Sequence, residues 1–322
     1  MRKVILSISL CLIVFLLFQY FYAGSPHRLP RKDFVEVIAH RGVHQTFHKE
    51  NLDNHTCTAS RIYKPTHNYL ENTIESIQAA FEYGATMVEI DIRPTKDKHL
   101  VVFHDYGLEC RTDGKGKIWD HSLDEIRKLD IGYGYTYDGG KTYPFREKGV
   151  GKIKTLSEIL NYFPDKRFLI NNKSGNNLEV AQLVAETLLT IPEGQRKNIF
   201  LWTGDDAYDH IRKIVPSITR LLLPRHHQKN FFKSHILGFG LGDIGEQYRN
   251  QGLGLPVKYT KLLWGWPYRF LYRLYTADAR FYLYVNTINE FDQVSGIPLN
   301  GIITDHIEVL GDYFNSHLTN AK

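Results

Sequence analysis

Short apolar segments that alternate with helix-like segments constrain the fold of this 322-residue chain more than any other feature. Each has the length and continuity of a strand buried in a parallel sheet, and several end in polar residues. The predicted strands are residues 35–40, 86–92, 99–104, 167–170, 198–202, 219–223, 281–285 and 301–304. No glycine-rich phosphate-binding fingerprint follows the first strand. The pattern therefore favours a (β/α)₈ TIM barrel over a doubly wound sheet.

Apolar residues at helical spacing predict the elements between the strands, with Thr155 as an N-cap and Gly84 as a stop. The predicted helices are residues 72–84, 123–129, 155–162, 177–190, 205–214 and 262–275. The last one is rich in aromatic residues, which suits core packing or contact with a bilayer. Residues 224–262 have no legible pattern.

The N-terminus predicts a membrane anchor. Three residues, Met1-Arg2-Lys3, precede an uncharged stretch from Val4 to Ala23 that is long enough to span a bilayer. The positive end stays inside, so the rest of the chain would be extracytoplasmic, on the periplasmic or extracellular side. A cleaved signal peptide, with a secreted product, is the alternative. We therefore expect an anchor and tether over residues 1–33 and a barrel domain over residues 34–322.

Composition narrows the class of protein. The net charge of +5 is small and the Lys and Arg residues are interspersed with acids, so nothing points to nucleic acid. Cys57 and Cys110 could form a disulfide if the domain lies outside the cytoplasm, and the sequence leaves their pairing open.

Two long irregular segments are predicted as loops, residues 43–70 and 130–151. The first contains four histidines, which invite a metal hypothesis, although a solvated loop is favoured.

Paired carboxylates mark a candidate metal site. Glu89 and Asp91 lie two residues apart on a predicted strand, so they point to the same face. Inside a parallel sheet such a pair needs a cation, whereas on an exposed edge it would simply be solvated. The βαβ order favours the buried position. There the two acids are expected to be metal ligands, and a purely salt-bridged pair is the alternative.

The remaining strand ends supply proton-transfer groups and fixed positive charges. His40 and Arg41 follow the first strand, His104 ends the third, and Asn171 and Lys173 follow the fourth. A barrel would bring these residues to one rim. Two histidines, a divalent cation and two cationic side chains are what cleavage of a phosphodiester requires, because charge grows on the phosphate oxygens while the leaving alcohol takes a proton.

Several motifs in order resemble the glycerophosphodiester phosphodiesterase family over about residues 34–315. The motifs are IAHRG, ENTIES, VEIDIRPTKDKHLVVFHD, TDGKG, KIKTLSEIL, FLINNKS and GIITDHIEVL. The resemblance implies a metal-dependent barrel in which His40 and His104 are the acid and base. It also implies that Glu89 and Asp91 bind Ca²⁺ or Mg²⁺, which suits their oxygen ligands. Glu71 of the ENT motif would order the site, or else simply favour the start of a helix.

The sequence departs from the family pattern at two places. Asn171 stands where the family usually has a third acidic metal ligand, which should weaken metal binding, and the loop over residues 43–70 is longer than usual. Arg41 and Lys173 are expected to bind the substrate phosphate. The expected activity is hydrolysis of glycerophosphodiesters to glycerol 3-phosphate and an alcohol. The alternatives are cleavage of membrane lysophospholipid headgroups, and a catalytically silent binding protein on the same barrel.

Overall fold

A computed structural model describes residues 7–15, 17, 29, 35–53 and 56–318 of the chain, except the side chains of residues 312 and 314–318. In these described residues, nine strands form one sheet. They are β1 (Glu36–His40), β2 (Met87–Pro94), β3 (Leu100–Val102), β4 (Phe168–Asn172), β5 (Ile199–Trp202), β6 (Thr219–Leu222), β7 (Gly252–Pro256), β8 (Arg280–Tyr284) and β9 (Gly301–Thr304).

Eight of these strands form a closed ring. The neighbour order is β1, β9, β8, β7, β6, β5, β4, β2, and β1 pairs with β2 to complete it. The pairs β1 with β2, β2 with β4, and β4 with β5 are parallel, as are β6 with β7 and β7 with β8. The predicted (β/α)₈ barrel is therefore confirmed.

The prediction for the third strand was wrong in its direction. β3 runs antiparallel to β2, with Ile92 opposite Val102 and Pro94 opposite Leu100. The physical reason is the length of the connection, because a parallel neighbour needs a crossover of a dozen or more residues and only a short turn is available here. His104 therefore follows a hairpin that folds back along β2, and it does not end a strand of the ring.

From β1 onward, the described residues form ten α-helices. They are α1 (Ile74–Glu82), α2 (Leu123–Ile126), α3 (Leu156–Tyr162), α4 (Leu178–Leu189), α5 (Glu193–Arg196), α6 (Asp205–Ile214), α7 (Arg225–Leu237), α8 (Tyr268–Thr276), α9 (Ile288–Val294) and α10 (Ile307–Leu318). The aromatic helix is shorter than predicted, because residues 257–262 form 3₁₀ turns and α8 begins only after Pro267. The stretch without a legible pattern contains α7 and β7.

Local backbone requirements explain the sequence around β1 and α1. Gly42 has φ +75°, and a Cβ there would lie 2.9 Å from the Ser76 carbonyl, so only glycine fits the turn after His40. Thr73 caps α1 by accepting a hydrogen bond from the Ser76 amide. The residues just before this cap, Glu71 and Asn72, are buried.

The predicted membrane anchor lies largely outside the described residues. Residues 7–15 are helical, and their apolar side chains are exposed. Within the described residues, no helix combines the length and the apolar character that crossing a membrane requires.

The chain divides into two compact units. One comprises Met1–Val35, Leu222–Val285 and Asn289–Ile302, and the other comprises Glu36–Leu221, Asn286–Ile288 and Ile303–Lys322. All candidate site residues from the sequence belong to the second unit.

The structure pairs Cys57 with Cys110, and their Cα atoms are 5.3 Å apart. Both residues pack against a buried apolar cluster that includes Phe103, Tyr135 and Phe145. The bridge joins the first long loop to the segment after His104, and the second long loop supplies part of the same cluster. These irregular segments therefore share a small core of their own.

Removing this disulfide is expected to destabilise the protein. Because the two cysteines are 53 positions apart in sequence, the Cys57→Ala/Cys110→Ala variant should lose about 2 to 4 kcal/mol of unfolding free energy. Urea unfolding of the oxidised protein, with Cys11→Ala as the control for an unpaired cysteine, measures this. A double variant as stable as the control would contradict the expectation.

Candidate active site

His40 is held by a carboxylate from the last strand of the ring. Its Nδ1 lies 2.7 Å from Oδ1 of Asp305, which follows β9. Lys49 donates to the other oxygen of Asp305 at 2.7 Å. Although burial opposes ionisation, the His40 hydrogen bond and the nearby cationic groups lower the pKa of Asp305 well below its usual range. His40 therefore keeps Nε2 free, at 3.9 Å from a Glu89 carboxylate oxygen.

His104 is held in the same way by its chain neighbour. Its Nδ1 lies 2.6 Å from Oδ1 of Asp105, whose other oxygen accepts a hydrogen bond from Arg111. Burial and the positive charge of Arg41 lower the pKa of His104 to about 4. The imidazole is therefore neutral near pH 7, and its Nε2 takes no part in the contact with Asp105.

The paired carboxylates are buried, as predicted, and lie on β2. Asp91 forms ion pairs with Arg41 Nε and Lys173 Nζ, each at 3.2 Å. It also accepts hydrogen bonds from the side-chain amides of Asn171 and Asn72, each at 3.2 Å. Glu89 accepts from Asn171 Nδ2 at 2.8 Å. These contacts replace the water that a buried carboxylate loses.

The two carboxyl groups of this pair titrate differently. Burial, and then the negative charge of Asp91, raise the pKa of Glu89. Burial also opposes ionisation of Asp91, but Lys173, His104 and Arg41 together hold the pKa of this group well below its usual range. One negative charge is therefore firmly fixed beside the two histidines.

Glu71 connects the two halves of this arrangement. Its carboxylate lies 3.2 Å from Arg41 Nη1 and 3.2 Å from Arg111 Nε. Despite burial, these two guanidinium groups lower the pKa of Glu71 to about 2. Glu71 therefore orders Arg41, as one of the two interpretations of the sequence predicts. It also holds Arg111, which donates a hydrogen bond to Asp105.

The structure brings every sequence-predicted site residue into one cluster in the second unit. Four further members of the cluster were not assigned to the site from the sequence. They are Asp305, Arg111, Arg93 and His44. Asp305 lies within the motif GIITDHIEVL and Arg111 directly precedes the TDGKG turn, but neither is adjacent in sequence to the group that it contacts.

Arg93 is a buried brace between the two site segments. Its guanidinium donates to the carbonyl of His104 at 2.9 and 3.1 Å and to the carbonyl of Lys173 at 3.0 Å. It therefore fixes the backbone at both residues. Its position two residues after Asp91 on β2 is the only sequence signal for this role.

His44 corrects the interpretation of the first long loop as solvated. Its side chain is only 2% exposed and its Nε2 lies 3.9 Å from Asp305. Burial lowers the pKa of His44 to about 4. His40, His44 and Asp305 have ligand atoms close enough to hold a metal ion. An ion bound there would use the His40 imidazole as a ligand. The carboxylate pair is therefore the metal-site candidate that leaves this imidazole available for proton transfer. His55 lies outside the described residues.

We expect Glu71 to make stability depend on acid pH. Its pKa falls from an ordinary 4.5 to about 2 on folding, so its contribution is complete above pH 4.5 and is lost as the pH falls towards 2. The size is about 3 kcal/mol. Unfolding free energy measured from pH 6 to 2 should fall less steeply for Glu71→Gln. The exposed control Glu179→Gln should follow the unmodified protein, and equal slopes for both variants would contradict the assignment.

Comparison with known proteins identifies a family and several relatives by sequence. The profile of the glycerophosphoryl diester phosphodiesterase family matches residues 40–209. The chain is 37% identical over 123 residues to a glycerophosphodiester phosphodiesterase of Caldanaerobacter subterraneus, which covers 38% of this chain and 46% of the relative. It is 33% identical over 144 residues to one of Bacillus subtilis, covering 44% and 40%.

Solved structures share the fold over most of the chain. A glycerophosphodiester phosphodiesterase of Agrobacterium tumefaciens has a TM-score of 0.56 at 18% identity, covering 87% of this chain and all of that one. A phosphodiesterase of Oleispira antarctica, in complex with the product sn-glycerol-3-phosphate, has a TM-score of 0.56 at 20% identity, covering 85% and 94%.

The sequence matches cover about half the length of the first relatives, from 40% to 60%. The family profile covers the part of the chain that carries His40, the carboxylate pair, His104 and Lys173. Since the family profile spans more than half of the sequence and contains this whole group, the chain belongs to the glycerophosphoryl diester phosphodiesterase family.

Proposed function

We propose that this protein hydrolyses glycerophosphodiesters to glycerol 3-phosphate and an alcohol. The observation that carries the proposal is a pair of imidazoles, each held at Nδ1 by an aspartate, beside a buried carboxylate pair and two cationic side chains. The Oleispira phosphodiesterase, solved in complex with the product sn-glycerol-3-phosphate, supports this choice of substrate.

The two histidines would divide the proton transfers of hydrolysis. When water attacks phosphorus, one imidazole takes its proton at Nε2, and the other gives a proton to the oxygen of the leaving alcohol. The aspartate at each Nδ1 fixes the tautomer and orientation that this exchange requires. Arg41 and Lys173 would bind the phosphate oxygens, on which negative charge grows in the transition state.

The donor set fits a hard cation of the Ca²⁺ or Mg²⁺ type. Glu89, Asp91 and Asn171 present their side-chain ends to one another, and the Asn171 amide nitrogen lies within 3.2 Å of an oxygen of each acid. Since an amide can rotate to exchange its nitrogen and oxygen, these three residues would hold the ion with oxygen ligands. The cation would add positive charge beside the phosphate.

Asn171 gives a direct test of this metal site. Asn171→Glu adds the missing negative charge and should tighten Ca²⁺ or Mg²⁺ binding about tenfold or more, measured by titration calorimetry. Asn172→Asp is the matched control, because the neighbouring amide donates to Thr203 and Gly175 instead. Weaker binding in Asn171→Glu would place the cation elsewhere.

Removal of the metal by a chelator should abolish turnover, and adding the metal back should restore it. Activity that does not respond to a chelator would exclude a metal role for Glu89 and Asp91.

The acid and base assignment is tested by removing each imidazole. His40→Ala and His104→Ala should each lower kcat about 10³-fold in a folded protein, as checked by circular dichroism. His210→Ala, in which the lost imidazole contacts Gln182 on α4, is the control. A loss of kcat below tenfold in either site variant would overturn the assignment.

The choice of substrate is tested by comparing the cleavage of glycerophosphocholine and lysophosphatidylcholine. We expect glycerophosphocholine to be cleaved preferentially. Preferential cleavage of lysophosphatidylcholine would favour the lysophospholipid alternative.

We also propose that the barrel works outside the cytoplasm. The Cys57–Cys110 disulfide supports an oxidising compartment, and the positive residues before the apolar stretch of the N-terminus favour translocation of the barrel domain. Labelling of an intact cell by an impermeant reagent, followed by purification of the full chain, tests this orientation. Labelling only after lysis would contradict it.

A further inference from the structure

Basic and acidic residues are interspersed along most of the chain, but residues 210–277 depart from this pattern. Residues 210–277 contain eleven Lys and Arg residues and only two acids, Asp243 and Glu246, whereas the other residues contain 29 basic and 33 acidic ones. Most of this segment, from Leu222 onward, belongs to the first compact unit. A basic segment on an otherwise slightly acidic protein favours an anionic partner.

The same segment exposes apolar side chains on a short loop. After α7 the sequence alternates leucine or phenylalanine with glycine, Leu237-Gly238-Phe239-Gly240-Leu241. The three apolar residues are 67%, 53% and 52% exposed in that order. Soluble proteins tolerate single exposed apolar residues, but three in five positions form a cluster.

The loop is held in shape by its neighbours. Arg273 donates hydrogen bonds to the carbonyls of Gly240 and Gly242. The Trp264 indole donates to the Ile236 carbonyl at 3.1 Å, and its ring lies 5.3 Å from the Phe239 ring. The apolar side chains are thus presented by a braced loop.

Further exposed apolar and basic residues lie in the segment before Trp264, the residue whose ring contacts this loop. Tyr259 and Leu262 are 44% and 49% exposed, and Lys258 and Lys261 beside them are exposed as well. A hollow of 480 Å³ lies along α7. It is lined by Lys229, Phe232, Lys233, Ile236, Leu237 and Leu255.

We propose that one surface of the protein docks on the face of an anionic phospholipid membrane. This surface comprises the 237–241 loop, the exposed side chains of Lys258, Tyr259, Lys261 and Leu262, and the lysines of α7. Exposed leucine, phenylalanine and tyrosine next to lysines is the composition of a segment that lies in the headgroup region, with the apolar groups inserted and the cations on lipid phosphates. Nucleic acid would match the charge but not the protruding aliphatic side chains. A second copy of the chain would match the apolar groups but would oppose like charges. The proposal goes beyond the proposed hydrolysis and does not depend on it.

Hydrogen exchange with peptide resolution tests the docking in the full chain, independently of the N-terminal stretch. Vesicles of phosphatidylcholine with phosphatidylserine should slow exchange of the peptide covering residues 236–242 about tenfold, and pure phosphatidylcholine should not. The peptide covering α4 serves as the internal reference. Because the readout is protection of a segment, an inactive enzyme would leave the result interpretable.

Two variants separate the parts of the surface. Leu237→Ser/Phe239→Ser/Leu241→Ser should abolish the protection, whereas the matched pair Leu178→Ser/Leu189→Ser, with similar exposure on α4, should keep it. Lys229→Glu/Lys233→Glu should weaken the effect about fivefold for each lysine. Two vesicle results would overturn the proposal: equal protection with neutral vesicles, or no protection with either kind of vesicle. It would also be overturned if protection rose with protein concentration in the absence of vesicles, or if a nucleic-acid duplex gave the same protection.

Discussion

Two carboxylates buried on one strand are the constraint to which the rest of the site responds. Glu89 and Asp91 point from β2 to the same side, where their mutual repulsion and the loss of water would be prohibitive without cationic partners. The chain supplies Arg41 and Lys173 from two neighbouring strands, at the same end of the sheet. The closed barrel makes this possible because adjacent parallel strands deliver their ends to one rim.

Three further carboxylates, those of Glu71, Asp105 and Asp305, adjust the positions of the catalytic candidates. Asp305 and Asp105 each hold one imidazole at Nδ1, and Glu71 holds the guanidinium groups of Arg41 and Arg111. Because all three pKa values are lowered, these groups remain anionic well into the acid range. The orientation of both histidines thus depends on charge pairs that are mostly shielded from water.

The long irregular segments support the site by packing. The 43–70 loop contributes His44 and Lys49 to the Asp305 side, and its disulfide to Cys110 anchors the residue next to Arg111. Tyr135 from the second loop reaches the Glu71 carboxylate at 3.5 Å. Segments with no helical or strand period in the sequence therefore complete a shell around the buried ion pairs.

The sequence by itself determined the barrel, most of its strands and helices, and the chemical types of the main site residues, because periodicity and residue chemistry are local properties. It did not determine the direction of β3, since a short apolar run has no orientation until it pairs. It also could not identify Asp305 as the partner of His40, because the two are 265 residues apart and only ring closure brings β9 beside β1. The burial of His44 and the disulfide pairing were likewise decided by tertiary packing, in which distances in space replace distances along the chain.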